Sequence, residues 1–109
     1  MLPKQMKRDL QSPLVRYRMY LQLEKSLQQN TIEAYMADVE RLSAYLGGEV
    51  ELLGATLETL RGFLSSMTDL GIAARSQARI LSSLRSFYGF LKLDGFIEGD
   101  PTELISGRF

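Results

Sequence analysis

Apolar positions in the stretch AARSQARILSSLRSFYGFLKL, from Ala73 to Leu93, recur at i, i+3, i+4 and i+7, the period of an amphipathic helix. At 100° per residue, Ile80, Leu81, Leu84, Phe87, Tyr88 and Leu91 fall on one arc that predicts a core-facing stripe. Arg75, Arg79, Ser82, Ser83 and Ser86 gather on the opposite side, with Ser76 at its margin. No acid occurs in the stretch. A merely solvated helix face mixes Glu with Lys in i, i+4 pairs, whereas arginine among small hydroxyl residues suits a backbone that comes close to an anion. This helix is the element around which the other predictions arrange themselves.

Three more helices precede it. Ser12 as N-cap and Pro13 in the first turn start a helix expected to reach about Lys25. Leu14, Tyr17, Tyr20 and Leu21 form one stripe on it, and Val15, Met19 and Leu23 a second. The second stripe is either buried like the first or left for a contact outside the domain. After Ser26–Gln29, the run NTIEAYMADVERLSAYLGG predicts a helix capped by Asn30 and ended by Gly47–Gly48, with Ile32, Tyr35, Val39, Leu42 and Leu46 on its core arc. Thr56 caps a third, purely structural helix that ends near Leu70–Gly71 and packs through Leu57, Leu60, Phe63, Leu64 and Met67. Gly95 breaks the fourth helix, Asp100–Pro101 punctuates the exit, and Thr102 to Ile105 are expected to form a short fifth helical turn. No run alternates like a strand. The expected fold is an all-α, four-helix bundle-like domain over residues 12–107, behind a flexible arm at residues 1–11.

The chain has 109 residues and a net charge of zero, with neither His nor Cys. That length supports a core without staples, and the absent residue types exclude Ser-His-Asp and Cys-His catalysis, disulfides and ordinary zinc sites. No Gly-rich phosphate loop occurs, and Asp38 and Glu40 read as surface carboxylates of a helix with no sign of a cleft. Neither a cofactor nor a metal is expected, and the chain by itself is expected not to be an enzyme. No run approaches the roughly 20 apolar residues of a membrane span, and the composition is compatible with the cytosol. The neutral total conceals segregation. Residues 1–30 carry six basic groups against two acids, residues 31–72 two against seven, and residues 73–93 four against none. Such asymmetry can create a positive face that steers toward phosphate. Asn30 and Thr31 add the N-terminus of the second helix, where free N–H groups favour a phosphate oxygen, although a simple capping role accounts equally for Asn30.

Three stretches together resemble the N-terminal core-binding, or SAM-like, domain of tyrosine recombinases and phage integrases, specifically the Xer type. They are LEKSLQQNTIEAYMADVERLSAYL, GIAARSQARILSSLRSFYGFL and DGFIEGDPTELI. The resemblance implies that the second and fourth helices lie in or beside the major groove of double-stranded DNA. Arg75, Ser76, Arg79, Ser82 and Ser83, with Asn30 and Thr31, would then contact phosphates and base edges. Arg85 sits to the side of the arc, either as a further contact or paired with an acid within the fold. Ala73 departs from the family's frequent Ser cap. The resemblance further implies other recombinase subunits as synaptic partners, contacted by the first helix, and no small-molecule substrate. A separate catalytic domain, expected to be absent here, would supply the tyrosine nucleophile, so Tyr17, Tyr20, Tyr35, Tyr45 and Tyr88 are not candidates. Outside the resemblance, the basic face fits a four-helix interaction module with an acidic protein partner.

Overall fold

The computed structural model describes residues 12–105, so the expectations for residues 1–11 and for 106–107 fall outside it. The described residues form four helices: α1, Pro13–Met19, continued by a π-helical turn at Tyr20–Glu24; α2, Gln29–Leu46; α3, Leu57–Asp69; and α4, Ala74–Leu93. Among the described residues there is no strand, and no helix is long and apolar enough to cross a membrane.

The predicted core stripe of α4 is buried throughout, and Phe90 joins it. α4 packs most extensively on α2, through Ile32, Met36, Val39 and Leu42, and closes against α1 on one side and α3 on the other. Tyr17 fixes α1: its ring lies edge-on to Phe87 at 5.1 Å and its hydroxyl donates to Ser86 Oγ at 2.8 Å. Ser86, which the helical wheel assigns to the polar face, is thus a half-buried acceptor for the core. Tyr88 donates to the carbonyl of Leu52 at 2.8 Å. At the α3–α4 turn, buried Gln77 donates to the carbonyl of Ile72 at 2.8 Å and accepts from Thr68 at 3.2 Å.

Local signals hold where one side chain decides the geometry. The Ser12 hydroxyl accepts from the Val15 N–H at 3.2 Å and itself donates to the Glu49 carboxylate. Thr56 accepts from the Thr59 N–H at 3.2 Å. Gly47, at φ 99°, ends α2 in the left-handed region that glycine occupies without steric cost.

Elsewhere tertiary packing overrides the local signal. The N-cap of α2 is Gln28, with no side-chain cap, and Asn30 is the second residue inside the helix. Leu27 and Ile32 occupy the positions of a hydrophobic staple and both pack into the core, which draws the helix start back by two residues. The connection after α2 winds into a 3-10 turn, Val50–Gly54, that inserts Leu52 completely into the core. The expected fifth helix is a run of turns at 101–104, in which Asp100 accepts from the Thr102 N–H at 2.7 Å.

Burial raises the pKa of both the Tyr17 and the Tyr88 hydroxyl well above the ordinary phenol value of about 10. Folded-state values that are raised contribute stability that is fully present below the unfolded pKa and lost as pH rises through the folded one. Unfolding free energy should therefore hold through neutrality and decline above about pH 10. Tyr88→Phe removes the shorter of two hydrogen bonds to the Leu52 carbonyl, which keeps only the Ala55 N–H at 3.4 Å. It should destabilise by about 1 kcal/mol and reduce that alkaline decline. Urea melts across a pH series measure both.

Candidate nucleic-acid interface

α2 and α4 meet at a buried carboxylate. Asp38, expected on the surface of α2, is 5% exposed. Its Oδ2 accepts from Arg79 Nη1 and from Ser83 Oγ, each at 2.6 Å. Arg79 and Ser83 are one helical turn apart on α4, so both reach a single acceptor on the neighbouring helix. Ser83 is 2% exposed and points inward. It cannot belong to the exposed face, because its hydroxyl is needed to solvate an otherwise buried anion. The Arg79 side chain, in contrast, remains 55% exposed beyond its ion pair.

The other expected residues divide between surface and scaffold. Arg75 and Ser82 are exposed on α4, and Ser76 is half-buried beside them. The Ser82 hydroxyl donates to the Ala78 carbonyl at 3.2 Å and would have to rotate to donate to an anion. Asn30 is exposed and Thr31 half-buried in the first turn of α2, among N–H groups that have no intrahelical acceptor. Among the described residues Arg85 pairs with no acid: its Nη2 donates to the carbonyl of Ile105 at 2.7 Å and fastens the exit segment to α4.

One further cation, which the sequence pattern does not single out, lies on the exposed side of α2 that carries Asn30. Arg41 is exposed on α2, and at 100° per residue it falls near Asn30, Ala34 and Ala37, which are exposed on the same side. It stands one turn beyond Asp38. Its signal is the spacing of small residues and Arg41 along α2, which becomes legible only once Asp38 shows which side of that helix borders α4. Ala34 and Ala37 on α2, like Ala78 and Ser82 on α4, leave both backbones open to close approach.

Charge counting overstates the basic surface. Arg16 pairs with Asp94 at 2.6 Å, Arg18 with Glu33 at 2.6 Å and Lys92 with Glu103 at 3.0 Å. Among the described residues, Arg41, Arg61 and Arg75 form no salt bridge. Nor do the described residues hold a cluster of three or more side chains suited to a metal ion.

Residues 14–95 match the family described as phage integrase, N-terminal SAM-like domain, and the chain belongs to that family. Among curated relatives it is 41% identical over 95 residues to tyrosine recombinase XerD of Pseudomonas aeruginosa, covering 85% of this chain and 32% of that protein. It is 37% identical over 84 residues to tyrosine recombinase XerC of Oceanobacillus iheyensis, covering 75% and 28%. With XerD of Haemophilus ducreyi the identity is 40% over 85 residues, covering 78% and 29%. The chain thus spans roughly a third or less of the length of these relatives. No solved structure matches significantly.

The two serines on adjacent positions of α4 should behave oppositely. Ser83→Ala removes a donor to a buried carboxylate and should cost about 1–3 kcal/mol, while Ser82→Ala should stay within about 0.5 kcal/mol of the parent. Thermal or chemical denaturation of the two variants side by side checks this.

Proposed function

We propose that this chain is the core-binding domain of a tyrosine recombinase and that it holds double-stranded DNA against the paired exposed faces of α2 and α4. The observation that carries the reading is the Arg79–Asp38 ion pair, which joins α4, with exposed Arg75 and Arg79, to α2, with exposed Arg41, both helices also exposing small side chains. Guanidinium groups suit phosphate because their planar forks match paired oxygens, and small neighbours let two helix backbones approach a groove. Membership of the phage integrase family and the tyrosine recombinase relatives support it.

In this reading Arg75, Arg79 and Arg41 engage phosphates. Asn30 and Thr31 offer side chains and free N–H groups at the start of α2, and Ser76 and Ser82 contribute shorter-range contacts. Ser83 and Arg85 serve the interface from behind, by holding Asp38 and the exit segment. Most contacts would position the duplex, and a few base-edge contacts would bias the site. Strand cleavage and rejoining belong to a catalytic domain of the parent recombinase. Val15 and Leu23, exposed on α1, offer an apolar contact for another recombinase subunit. Action on chromosomal or integrated DNA would put the parent in the cytoplasm.

If about three phosphates are engaged, log affinity for a duplex should fall with log salt at a slope of roughly −3. Arg75→Ala and Arg41→Ala should each flatten that slope by about one and leave the melting temperature unchanged, since neither side chain is in a salt bridge among the described residues. Fluorescence anisotropy titrations at several salt concentrations read both quantities. Salt-independent binding, or full affinity in the Arg41→Glu, Arg75→Glu double variant, would overturn the reading in favour of a protein-interaction module. Arg79→Glu is the wrong probe, because it would set a second carboxylate against buried Asp38.

A further inference from the structure

A buried carboxylate directly behind an arginine of the binding face is a paradox for a surface that meets a polyanion. Asp38 removes part of the positive charge that Arg79 could offer to phosphate, yet its carboxylate is held in place from two directions. The geometry resolves the paradox. Only Nη1 of Arg79 is engaged by Asp38; among the described residues, Nη2 and Nε have no acceptor. These two nitrogens form the side-on edge of the guanidinium, the edge that carries two parallel N–H groups.

Arginine is a flexible side chain that loses rotamer freedom when it is ordered. Pinning Nη1 fixes the guanidinium plane beforehand, so less freedom remains to be lost when a ligand arrives. Ser83 reinforces the pin by holding the same Oδ2 from one turn further along α4. An anion at the outer edge of Arg79 meets the guanidinium at hydrogen-bonding distance and Asp38 only behind it. Attraction therefore exceeds the repulsion from the carboxylate.

We propose that Asp38 is a positioning residue that grips Arg79 by Nη1 and presents its Nη2–Nε edge to a pair of phosphate oxygens of duplex DNA. The inference rests on the DNA-binding reading above and deepens it. It makes the contribution of Arg79 geometric and not merely electrostatic.

The test uses the full chain and a short labelled duplex enriched from a random pool on the parent protein. Parent, Asp38→Asn, Arg79→Gln and the double variant are titrated by anisotropy, each below its measured melting temperature. Asp38→Asn keeps an acceptor for Ser83 and raises the net charge by one, so electrostatics alone demands tighter binding. Positioning demands roughly tenfold weaker binding, about the loss of one charge-assisted hydrogen bond. It also demands no further loss when Asp38→Asn is added to Arg79→Gln. Arg79→Lys supplies an independent arm should Asp38→Asn fail to fold: it retains the charge without the side-on edge and should also bind roughly tenfold weaker.

Unchanged or tighter binding by Asp38→Asn overturns the proposal, as does full affinity in Arg79→Lys. Equal weakening by Asp38→Asn in the parent and Arg79→Gln backgrounds overturns it too, because Asp38 would then act through the fold. A parent protein that binds no duplex overturns the DNA-binding reading itself, a result visible before any variant is compared.

Discussion

The fold depends on how the charge of Asp38 is satisfied. A carboxylate removed from water must gain hydrogen bonds or a counter-charge, and here it gains both from one neighbouring helix. Two donors one turn apart on α4 meet a single oxygen on α2, so sliding or rotating α4 by one residue would strand the anion. Apolar contacts between the helices are far more tolerant, since Ile, Leu and Phe can repack at modest cost. The ion pair therefore contributes less to total stability than to the uniqueness of the helix setting, as befits a pair whose arginine is more than half exposed. Because the exposed stripes of α2 and α4 flank this contact, the same constraint sets the relative orientation of the residues proposed to meet DNA.

Tyrosine hydroxyls apply a similar constraint at two further places. Tyr17 ties α1 to α4 through Ser86, and Tyr88 ties α4 to the 3-10 turn through Leu52. Each combines a large apolar ring with one polar atom that must find its partner, so each fixes a position that apolar packing alone would leave loosely specified. α4 takes part in all three contacts. Its inner face is thus a mixture of apolar stripe and directed polar anchors, and its outer face is what those anchors leave over.

Much of this architecture is legible in the amino-acid sequence alone. The α4 stripe, the Thr56 and Ser12 caps and the glycine end of α2 are local rules, decided by periodicity or by one side chain acting on its own turn. The departures share a different cause. Gln28 is the cap of α2 because Leu27 is drawn into the core, and Leu52 is core because a connection winds into a 3-10 turn over α4. Neither fact resides in its own segment. Ser83 shows the limit most clearly. On a helical wheel it lies between Arg79 and the Ile80–Phe87 edge, a boundary position that only the partner helix can assign. Asp38, on the partner, gives no sign of burial because its counter-charge lies 41 residues away. Arg41 is inconspicuous for the complementary reason: its significance depends on which side of α2 borders α4.

Pairing within the fold also changes what the segregation of charge means. A count of basic residues along the sequence treats every cation as available to a ligand, but Arg16, Arg18, Arg79 and Lys92 each face a carboxylate. The field outside such pairs falls off faster than that of isolated charges and is further screened by salt. Among the described residues, long-range steering then rests on few groups, chiefly Arg41 and Arg75, while short-range recognition can still use the outer edge of a paired arginine. Weak attraction at a distance with defined geometry on contact favours registering a duplex over merely concentrating it. In the proposed DNA-binding reading, that division of labour lets the domain register a duplex without supplying all of the affinity. It also reconciles zero net charge with the face proposed to meet DNA.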